Sequence, residues 1–307
     1  MRALCNLGNV FYGLDQYGDA LDNYSRALTI AREIGNDAHE DILLNNIGNL
    51  YLDSEDFGRA AEFYERALQR TPGELTVQLN LGIAHYFLRE YARAIELQES
   101  VLASAREQGN RGLEAHALES LGDTRDATGE TPLALRLHRE ALAVRREIGD
   151  EGGVATSQLR IGKIASKLGD RPVALSNLES ALRGAEALGA RDCVAETHHA
   201  LSQYYRDGGD YPRALEHHEN FHNVKVEIIR EQSEKRVIAL GIELSAERNV
   251  HEAEVTRLKG RIQELAIEID YARRDKQLAE VVESDSFLAL KARAKELRRR
   301  MAGGSGE

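Results

Sequence analysis

The residue type that most invites a search for chemistry in this 307-residue sequence is histidine, which occurs 10 times. His218 and His222 are four residues apart, and this spacing places both imidazoles on one face of a helix, where they could hold a metal ion. No cysteine or carboxylate completes an evident ligand set beside them. We expect His218 to face the protein interior instead, and the sequence predicts neither a metal site nor a cofactor.

Catalytic motifs are the second place to look for chemistry. The GxSxG, P-loop, GxGxxG and HExxH patterns do not occur, and the acidic residues are spread over the surfaces of predicted helices. The two cysteines, Cys5 and Cys193, are too few for a disulfide framework or a four-thiolate zinc site. We therefore expect a non-enzymatic protein in a reducing compartment, the cytoplasm.

The composition also restricts the partners. The chain has 51 acidic and 40 basic residues, and its net charge of −11 disfavours general binding to phosphate backbones. It contains no apolar run of the 18 or more residues that a membrane-spanning helix needs, so no membrane insertion is expected. With 42% hydrophobic residues and only four prolines, the sequence is typical of a soluble, helix-rich protein.

The sequence contains an internal repeat, and this repeat predicts the helices that position the polar side chains. Pairs of an apolar residue and a glycine recur after 40, 34, 40 and 40 residues, and Leu201-Ser202 continues the series after another 40. The pairs are Leu7-Gly8, Ile47-Gly48, Leu81-Gly82, Leu121-Gly122 and Ile161-Gly162. Twelve residues after each Gly or Ser there is an alanine: Ala20, Ala60, Ala94, Ala134, Ala174 and Ala214. Each unit is therefore predicted to be a helix, a short turn and a second helix.

The small residues are expected to have a packing role. A glycine inside a helix costs about 1 kcal/mol relative to alanine, so its recurrence indicates that a second helix crosses close to the backbone there. Tyr24 and Tyr64 on the second helices are expected to fill the remaining space of this packed face. Gly129, Gly169 and Gly209 are expected to mark the tight turns between helices.

Two segments, NLGNVFYGLDQYGDALDNYSRAL and NIGNLYLDSEDFGRAAEFYERAL, resemble the tetratricopeptide repeat (TPR) family. The first places seven residues in the family's signature order: Leu7, Gly8, Phe11, Tyr17, Ala20, Tyr24 and Ala27. The resemblance spans residues 1–225 and implies an all-α, TPR-type α-solenoid of about six helix-turn-helix repeats. These repeats are expected to begin near residues 1, 41, 75, 115, 155 and 195.

In this family the first helices of successive repeats line a concave groove, and the resemblance implies a protein or peptide ligand there. The predicted groove begins with amides, continues with an apolar shelf and ends with charged residues. By position, its partner-binding residues are Asn9, Tyr12, Asn45, Asn49, Leu52, Leu79, Ile83, Tyr86, Phe87, Asp123, Lys163, Gln203 and Arg206, with His116, Glu119 and His199 beside them. Amides can hydrogen-bond an extended peptide backbone. Alternatively, the asparagines only satisfy groups of the protein's own helices and turns.

Residues 226–280 are predicted to form a long coiled-coil helix, because apolar residues there follow the alternating spacing of a heptad seam. The predicted dimer seam consists of Leu244, Val255, Leu258, Ile262, Leu265, Ile269 and Ala272. Such a stripe needs a partner helix. A parallel homodimer is the simplest solution, and folding back onto the chain's own repeats is the alternative.

Residues 284–301 are predicted to form a separate, short amphipathic helix, followed by a flexible tail at 302–307. Its stretch 287–301 carries one acidic residue, Glu296, and six basic residues, Lys291, Arg293, Lys295, Arg298, Arg299 and Arg300. It could remain solvated or contact the acidic repeats, dock on a partner, or bind nucleic acid or anionic lipid.

Three functions are consistent with this organisation. The first is an interaction scaffold or regulator that binds a partner in its groove and dimerises or signals through the coiled coil. The second is the sensor arm of a bacterial signal-transduction system that acts on a separate output domain, because the segment from His217 onward is similar to the junctions before coiled coils in such proteins. The third is a nucleic-acid-associated regulator that uses the basic helix.

Overall fold

The computed structural model describes residues 1–233, 257, 259–261 and 263. The chain divides into two compact units, Met1–Arg236 and Val237–Glu307. The first unit is described below, and the described residues of the second unit are helical. All residues of the predicted dimer seam and of the predicted basic helix lie outside the described residues.

Eleven helices and a final helical segment make up the described part of the first unit. The helices are α1 (Arg2–Gly13), α2 (Tyr17–Glu33), α3 (Asp37–Asp53), α4 (Phe57–Arg70), α5 (Leu75–Phe87), α6 (Tyr91–Glu107), α7 (Arg111–Ala127), α8 (Thr131–Glu147), α9 (Glu151–Lys167), α10 (Arg171–Leu188) and α11 (Arg191–Asp207). Residues 211–233 are helical and are called the terminal helix. The described residues contain no strand, which confirms the predicted all-α class.

Consecutive helices pair into six repeats, from repeat 1 (α1 and α2) to repeat 6 (α11 and the terminal helix). The two helices of repeats 1 to 5 pack against each other, and each second helix packs against the first helix of the next repeat. First helices also contact one another: α3 contacts α5, α5 contacts α7, and α9 contacts α11. The first helices therefore converge on the inner side of the stacked array.

Side-chain caps determine where several helices begin. Asn36, Asn110 and Asp150 each accept a hydrogen bond from a backbone N–H three residues later, at the starts of α3, α7 and α9. Asp56 and Asp170 do the same for α4 and α10. A cap of this kind stabilises a helix by about 1 kcal/mol. Polar residues just before the apolar pattern therefore mark the helix boundaries.

The turn within each repeat contains one residue in the left-handed region of backbone conformation. In repeats 4 to 6 this residue is the expected glycine, with φ of 88° at Gly129 and 78° at Gly169 and Gly209. In repeats 1 to 3 the same position is held by residues with a Cβ atom, at φ values from 57° to 62°: Asp15, Glu55 and Arg89. The turn geometry is thus kept even where the residue type is unfavourable for it.

The repeated glycines lie where the second helix approaches the first most closely. A Cβ atom on Gly8 would lie 2.5 Å from Cε1 of Tyr24, and one on Gly48 would lie 2.5 Å from Cε1 of Tyr64. The two tyrosines are only 2% and 0% exposed. Burial of such a ring stabilises the fold by roughly 1.5–3 kcal/mol, and it requires the absence of a side chain at the glycine.

The alanines that follow these glycines are core residues. Ala20, Ala60, Ala94, Ala134 and Ala174 are 0% exposed, and Ala214 is 7% exposed. The apolar residues of each helix are thus concentrated on the faces that pack. None of the helices in the described part of the chain is both long and apolar enough to cross a bilayer.

Candidate functional site

The groove wall of repeats 1 and 2 begins with a buried tyrosine that is bonded to an asparagine. The Tyr24 hydroxyl donates to Oδ1 of Asn9 over 2.7 Å, and Nδ2 of Asn46 lies 3.5 Å from the same oxygen. Burial, with a smaller contribution from Cys5, raises the pKa of Tyr24 to about 12. The hydroxyl therefore stays protonated at neutral pH and donates its hydrogen bond. Oδ1 of Asn9 accepts this bond within the protein.

The same arrangement recurs one repeat later. The Tyr64 hydroxyl donates to Oδ1 of Asn49 over 2.7 Å, and burial raises the pKa of Tyr64 far above its usual value. Nδ2 of Asn80 lies 3.1 Å from the Asn49 oxygen and 3.2 Å from Oδ1 of Asn45. The asparagine oxygens thus accept hydrogen bonds from buried tyrosines and neighbouring amides. This agrees with the alternative that the asparagines satisfy groups of the protein itself.

These bonds follow a rule of position within the repeat. The residue sixteen positions after the glycine packs on that glycine, and the residue immediately after the glycine faces the groove. In repeat 4 this pair is His138 and Asp123, with Nε2 and Oδ1 3.4 Å apart. In repeat 5 it is Leu178 and Lys163, and Lys163 is exposed because Leu178 has no polar atom to satisfy. In repeats 1, 2 and 4 a buried polar packing residue thus contacts the groove residue, whereas in repeat 3 the buried Gln98 accepts a hydrogen bond from Thr124 and the groove residue is Ile83.

Two adjoining cavities, of about 280 and 300 Å³, lie in the middle of the groove between α5, α7 and α9. They share three lining residues, Tyr86, Asp123 and Arg160. One cavity is further lined by Ile83, Phe87, Gln98, Glu119 and Ser120, and the other by Asp126, Ala127, Lys163, Ile164 and Lys167. The result is an apolar and aromatic wall on α5 that faces charged groups on α7 and α9.

Asp123 is the electrostatic centre of these cavities. Its Oδ2 lies 3.6 Å from Nη2 of Arg160, on the side opposite to its contact with His138. Burial alone would raise the pKa of Asp123, but His138 and the positive charges of Arg160 and Lys163 outweigh burial and hold that pKa below its usual value. Asp123 is therefore ionised at neutral pH, and it neutralises much of the Arg160 charge.

A buried arginine fixes the other carboxylate of the cavity wall. Arg145 on α8 is only 3% exposed, and its Nη2 donates to Oε2 of Glu119 over 2.5 Å. Its Nη1 donates to the Gly153 carbonyl and to the Ser157 hydroxyl, each over 2.9 Å. Glu119 is thus held in place by the protein, and Lys163 is the cation of this wall that makes no ion pair among the described residues.

The cavities bring together six of the residues predicted to face the groove: Ile83, Tyr86, Phe87, Glu119, Asp123 and Lys163. The prediction that Leu79 faces the groove is wrong. It is only 4% exposed and packs in a core cluster with Val101 and Leu118. The reason is that its position in the first helix lies against the neighbouring helices, where an apolar residue is drawn into the core. It therefore does not belong to an apolar shelf in the groove.

The remaining predicted groove residues lie away from these cavities. The Tyr12 hydroxyl donates to the Asp53 carboxylate, and Leu52 is half-buried against the core of repeats 1 and 2. Gln203 is exposed and bonded to His199 over 2.7 Å, and Arg206 is exposed with Nε 3.4 Å from Asp207. Asn45 lines a separate cavity of about 340 Å³ between α3 and α5.

The sequence prediction did not include Arg160 and Gln98, although both line the central cavities. Arg160 is two residues before the repeated glycine, a position held by Asn6, Asn46, Asn80 and Ser120 in the earlier repeats. A polar residue at the same position in five repeats was the available signal. Gln98 occupies the packing position of Tyr64 and is fully buried, where its Oε1 accepts from the Thr124 hydroxyl over 2.9 Å.

The histidines of repeat 6 form a packed pair. Nδ1 of His198 lies 2.9 Å from Nδ1 of His217, and the His217 ring stacks on Tyr205 with centroids 5.5 Å apart. His218 is exposed, so the expectation that it faces the interior is wrong. Within the described residues, no group of three or more His, Cys, Asp or Glu residues is arranged to hold a metal ion.

Solved structures of other proteins share this fold. BtubC (BKLC) from P. vanneervenii is 18% identical, with a TM-score of 0.58 over 70% of this chain and 92% of that one. The apo form of RapI is 17% identical, with a TM-score of 0.61 over 74% and 83% of the two chains. A Rap protein complexed with competence and sporulation factor is 14% identical, with a TM-score of 0.56 over 76% and 75%.

The family of the chain follows from sequence comparison and not from these structural similarities. No curated protein sequence matches the chain significantly. The sequence profile of the tetratricopeptide repeat family matches residues 1–72, 73–147 and 153–220, which is most of the chain. Together with six stacked pairs of helices packed through small residues, this match shows that the chain belongs to the tetratricopeptide repeat family.

Proposed function

We propose that this protein is a non-enzymatic interaction protein that binds an extended segment of a partner protein in its groove. The observation that carries the proposal is the pair of central cavities, where the aromatic wall of Tyr86 and Phe87 faces the ion pair of Asp123 and Arg160. Repeat arrays of this family are typically scaffolds for interactions. One similar structure is that of a Rap protein in complex with competence and sporulation factor.

The chemistry of the wall indicates how a segment would bind. An apolar side chain of the partner would pack against Ile83 and Phe87, of which Phe87 is 48% exposed. Burial of one such side chain supplies roughly 1.5–3 kcal/mol. Lys163 is exposed, has no ion-pair partner among the described residues, and would donate hydrogen bonds to an acidic group or a carbonyl oxygen of the partner. Protein binding in a preformed cleft of this kind needs little rearrangement of the backbone.

Peptide selection followed by substitution tests this proposal. A peptide would be selected from a random display library on the full chain, and its dissociation constant would be measured for each variant. Tyr86→Ala and the charge reversal Lys163→Glu are expected to weaken binding at least about tenfold. Glu96→Lys is the matched control, because Glu96 is exposed on α6, a second helix outside the groove. Equal affinity for all three variants would refute groove binding.

We further propose that the chain forms a parallel homodimer through the seam from Leu244 to Ala272. The support is the heptad spacing of the apolar residues in the sequence. In this arrangement, ligand binding in the groove would alter the coiled coil and, through it, a separate output domain. The protein would then act as a regulator as well as a scaffold. Sedimentation of the full chain at several concentrations tests the dimer.

A further inference from the structure

The residue that packs on the repeated glycine of repeat 3 is a glutamine, Gln98. It is fully buried, and a Cβ atom on Gly82 would lie 3.2 Å from its Cγ. Its Oε1 accepts a hydrogen bond from the Thr124 hydroxyl, but its Nε2 has no hydrogen-bond partner among the described residues. A buried donor without a partner destabilises a folded protein, so this half of the amide calls for an explanation.

The other repeats show where a polar group at this position normally finds its partner. In repeats 1 and 2 the hydroxyls of Tyr24 and Tyr64 donate to Oδ1 of the asparagine that immediately follows the repeated glycine. In repeat 3 the residue after the glycine is Ile83, whose side chain has no polar atom. The acceptor that Gln98 would meet on the groove side is therefore missing from the protein.

Gln98 nevertheless borders the groove. Together with Ile83, Phe87 and Arg160 it lines the cavity of about 280 Å³ that was described above. The packing residue of repeat 3 thus has both properties of a ligand-binding group. It borders a cavity that a ligand can fill, and one half of its amide is unused in the free protein.

The other polar groups of this cavity show the same imbalance. Nε of Arg160 is buried and also has no hydrogen-bond partner within the described part of the chain. Both carboxylates of the cavity, in contrast, already have partners. Glu119 accepts from Arg145, and Asp123 lies between Arg160 and His138. The unused groups are N–H donors, so a ligand that fills this cavity must present oxygen acceptors.

We propose that the bound segment supplies the acceptor that repeat 3 lacks. In the complex, a main-chain carbonyl oxygen of the ligand accepts a hydrogen bond from Nε2 of Gln98, beside the ligand side chain that packs on Ile83 and Phe87. The acceptors in repeats 1 and 2 are amide oxygens of asparagine, and an extended peptide presents amide oxygens of the same chemistry at every residue.

This inference rests on the proposed function and specifies how the groove recognises a peptide. A main-chain carbonyl carries no information on the ligand's sequence, so the bond to Gln98 fixes the position of the peptide along the groove. The side chains of the ligand are then selected by the cavity walls. A residue of the packing layer behind the groove wall therefore takes part in binding.

Gln98→Leu tests the proposal on the protein side. Leucine suits this position because Leu178 is buried at the same position of repeat 5, and the Thr124 hydroxyl keeps its bond to the Ser120 carbonyl. The dissociation constant of the selected peptide is expected to rise roughly threefold to tenfold, which corresponds to one net hydrogen bond. The urea midpoint of the free protein should also rise, because an unsatisfied buried donor is removed.

Tyr24→Phe is the matched control. It also removes a buried donor, but the Tyr24 hydroxyl has its acceptor in Asn9 and does not line either central cavity. This variant should lower the urea midpoint and leave the affinity for the peptide unchanged. A Gln98→Leu variant with the same behaviour as Tyr24→Phe would have lost only a structural bond, and the inference would be overturned.

Changes in the peptide identify the acceptor atom. Each peptide bond of the selected peptide would be replaced in turn by a trans-alkene isostere, which keeps the shape of the bond and removes its carbonyl oxygen. One replacement should weaken binding to the wild type roughly threefold to tenfold and weaken binding to Gln98→Leu much less, because the variant already lacks the bond. If no replacement shows this coupling, the proposed main-chain bond is wrong.

Two further variants separate this inference from the proposed function. The selected peptide should also bind more weakly to Tyr86→Ala and to Lys163→Glu. If it does, but Gln98→Leu binds it as tightly as the wild type, the inference is overturned and groove binding stands. If Tyr86→Ala and Lys163→Glu leave the affinity unchanged, both proposals are overturned.

Discussion

In repeat 2 the residue that packs on the repeated glycine is a tyrosine, and in repeat 5 it is a leucine. Tyr64 is fully buried and needs an acceptor for its hydroxyl, which Asn49 provides from the groove wall. Leu178 is equally buried and needs no acceptor, and the residue at the position of Asn49 is the exposed Lys163. In these two repeats, the residue type at the groove position thus follows from the side chain that packs on the repeated glycine.

Repeats 1, 2 and 4 differ in this respect from repeats 3 and 5. In repeats 1 and 2, and again in repeat 4, a buried polar side chain occupies the atoms of Asn9, Asn49 or Asp123. In repeats 3 and 5 the corresponding residues are Ile83 and Lys163. They line the central cavities and do not bond to a buried packing residue. Lys163 is exposed and Ile83 is half-buried, and neither satisfies a buried polar group, so both can contact a ligand.

The turns differ between the halves in a similar way. Repeats 4 to 6 use glycine at the left-handed position, whereas repeats 1 to 3 use residues with a Cβ atom. The left-handed conformation costs a residue other than glycine roughly 1–2 kcal/mol. The turns of the later repeats are therefore closer to an ideal turn than those of the earlier repeats. Four substitutions or titrations can break or sharpen this comparison.

The largest effect is expected at the glycines themselves. Gly48→Ala should destabilise the protein by about 3 kcal/mol, because the new Cβ would lie 2.5 Å from a buried aromatic ring. Gly162→Ala should cost less, about 2 kcal/mol, since the new Cβ would lie 2.7 Å from Cγ of Leu178, a more flexible side chain than a ring, and 3.2 Å from the Ala174 carbonyl oxygen. Gly58→Ala, where no atom lies within 4 Å, is the control, and urea denaturation measures all three. Equal losses at Gly48 and Gly162 would contradict the difference between repeats 2 and 5.

A smaller effect is expected at the groove residues. Asn49→Ala should cost about 1–3 kcal/mol, because it leaves the hydroxyl of Tyr64 buried without its acceptor. Lys163→Ala at the same position of repeat 5 should change stability by less than about 0.5 kcal/mol. The free energies of unfolding of both variants provide the measurement. A loss at Lys163 as large as that at Asn49 would show that the coupling of groove and packing is wrong.

Acidification should affect repeat 6 and spare repeats 1 and 2. Burial, followed by their mutual repulsion, lowers the pKa of His198, and burial also lowers that of His217, although Glu216 and Glu179 oppose these shifts. Because the unfolded pKa is near 6.5, the stability of this contact is complete above that pH and is lost as the pH falls toward the folded values. The protection factors for hydrogen exchange in the terminal helix should therefore fall as the pH drops below about 6.5, whereas those of α1 and α2, which are held by a tyrosine, should not change. His217→Phe should remove the dependence, and its persistence would exclude this pair as the cause.

The smallest effect is expected at the turns. Glu55→Gly should stabilise repeat 2 by less than about 1 kcal/mol, because it removes the left-handed strain at φ of 60° but adds flexibility to the unfolded chain. Gly169→Ala should have the opposite sign and a magnitude of about 1 kcal/mol. Thermal midpoints of the two variants compare the halves directly, and a gain from Gly169→Ala would refute the turn argument.

Much of the fold could be predicted because its determinants are local. Glycines, alanines and helix caps recur at fixed spacing, and each acts on a neighbouring helix within the same repeat or the next. The prediction for His218 was wrong because Ser202 has a side chain where the earlier repeats have glycine. The Ser202 hydroxyl bonds to the Ala214 carbonyl, and His217, not His218, faces α11.

Residues of the groove were harder to predict, because their exposure depends on contacts between repeats. Leu79 has the spacing of a groove residue but lies in the core, whereas Arg160 was left out although it lies at the centre of both cavities. The sequence gives the position of such a residue in its helix. It does not give the distance to the next helix, which decides whether the side chain is buried or faces the groove.

Photo-cross-linking from the groove tests the central claim most directly. Tyr86 would be replaced by a photo-reactive phenylalanine analogue, and Glu96 on the outside of α6 would be replaced in the same way as a control. If a partner segment binds between α5, α7 and α9, the first protein should form a covalent adduct with the selected peptide and the second should not. Adducts from position 96 with none from position 86 would contradict the account.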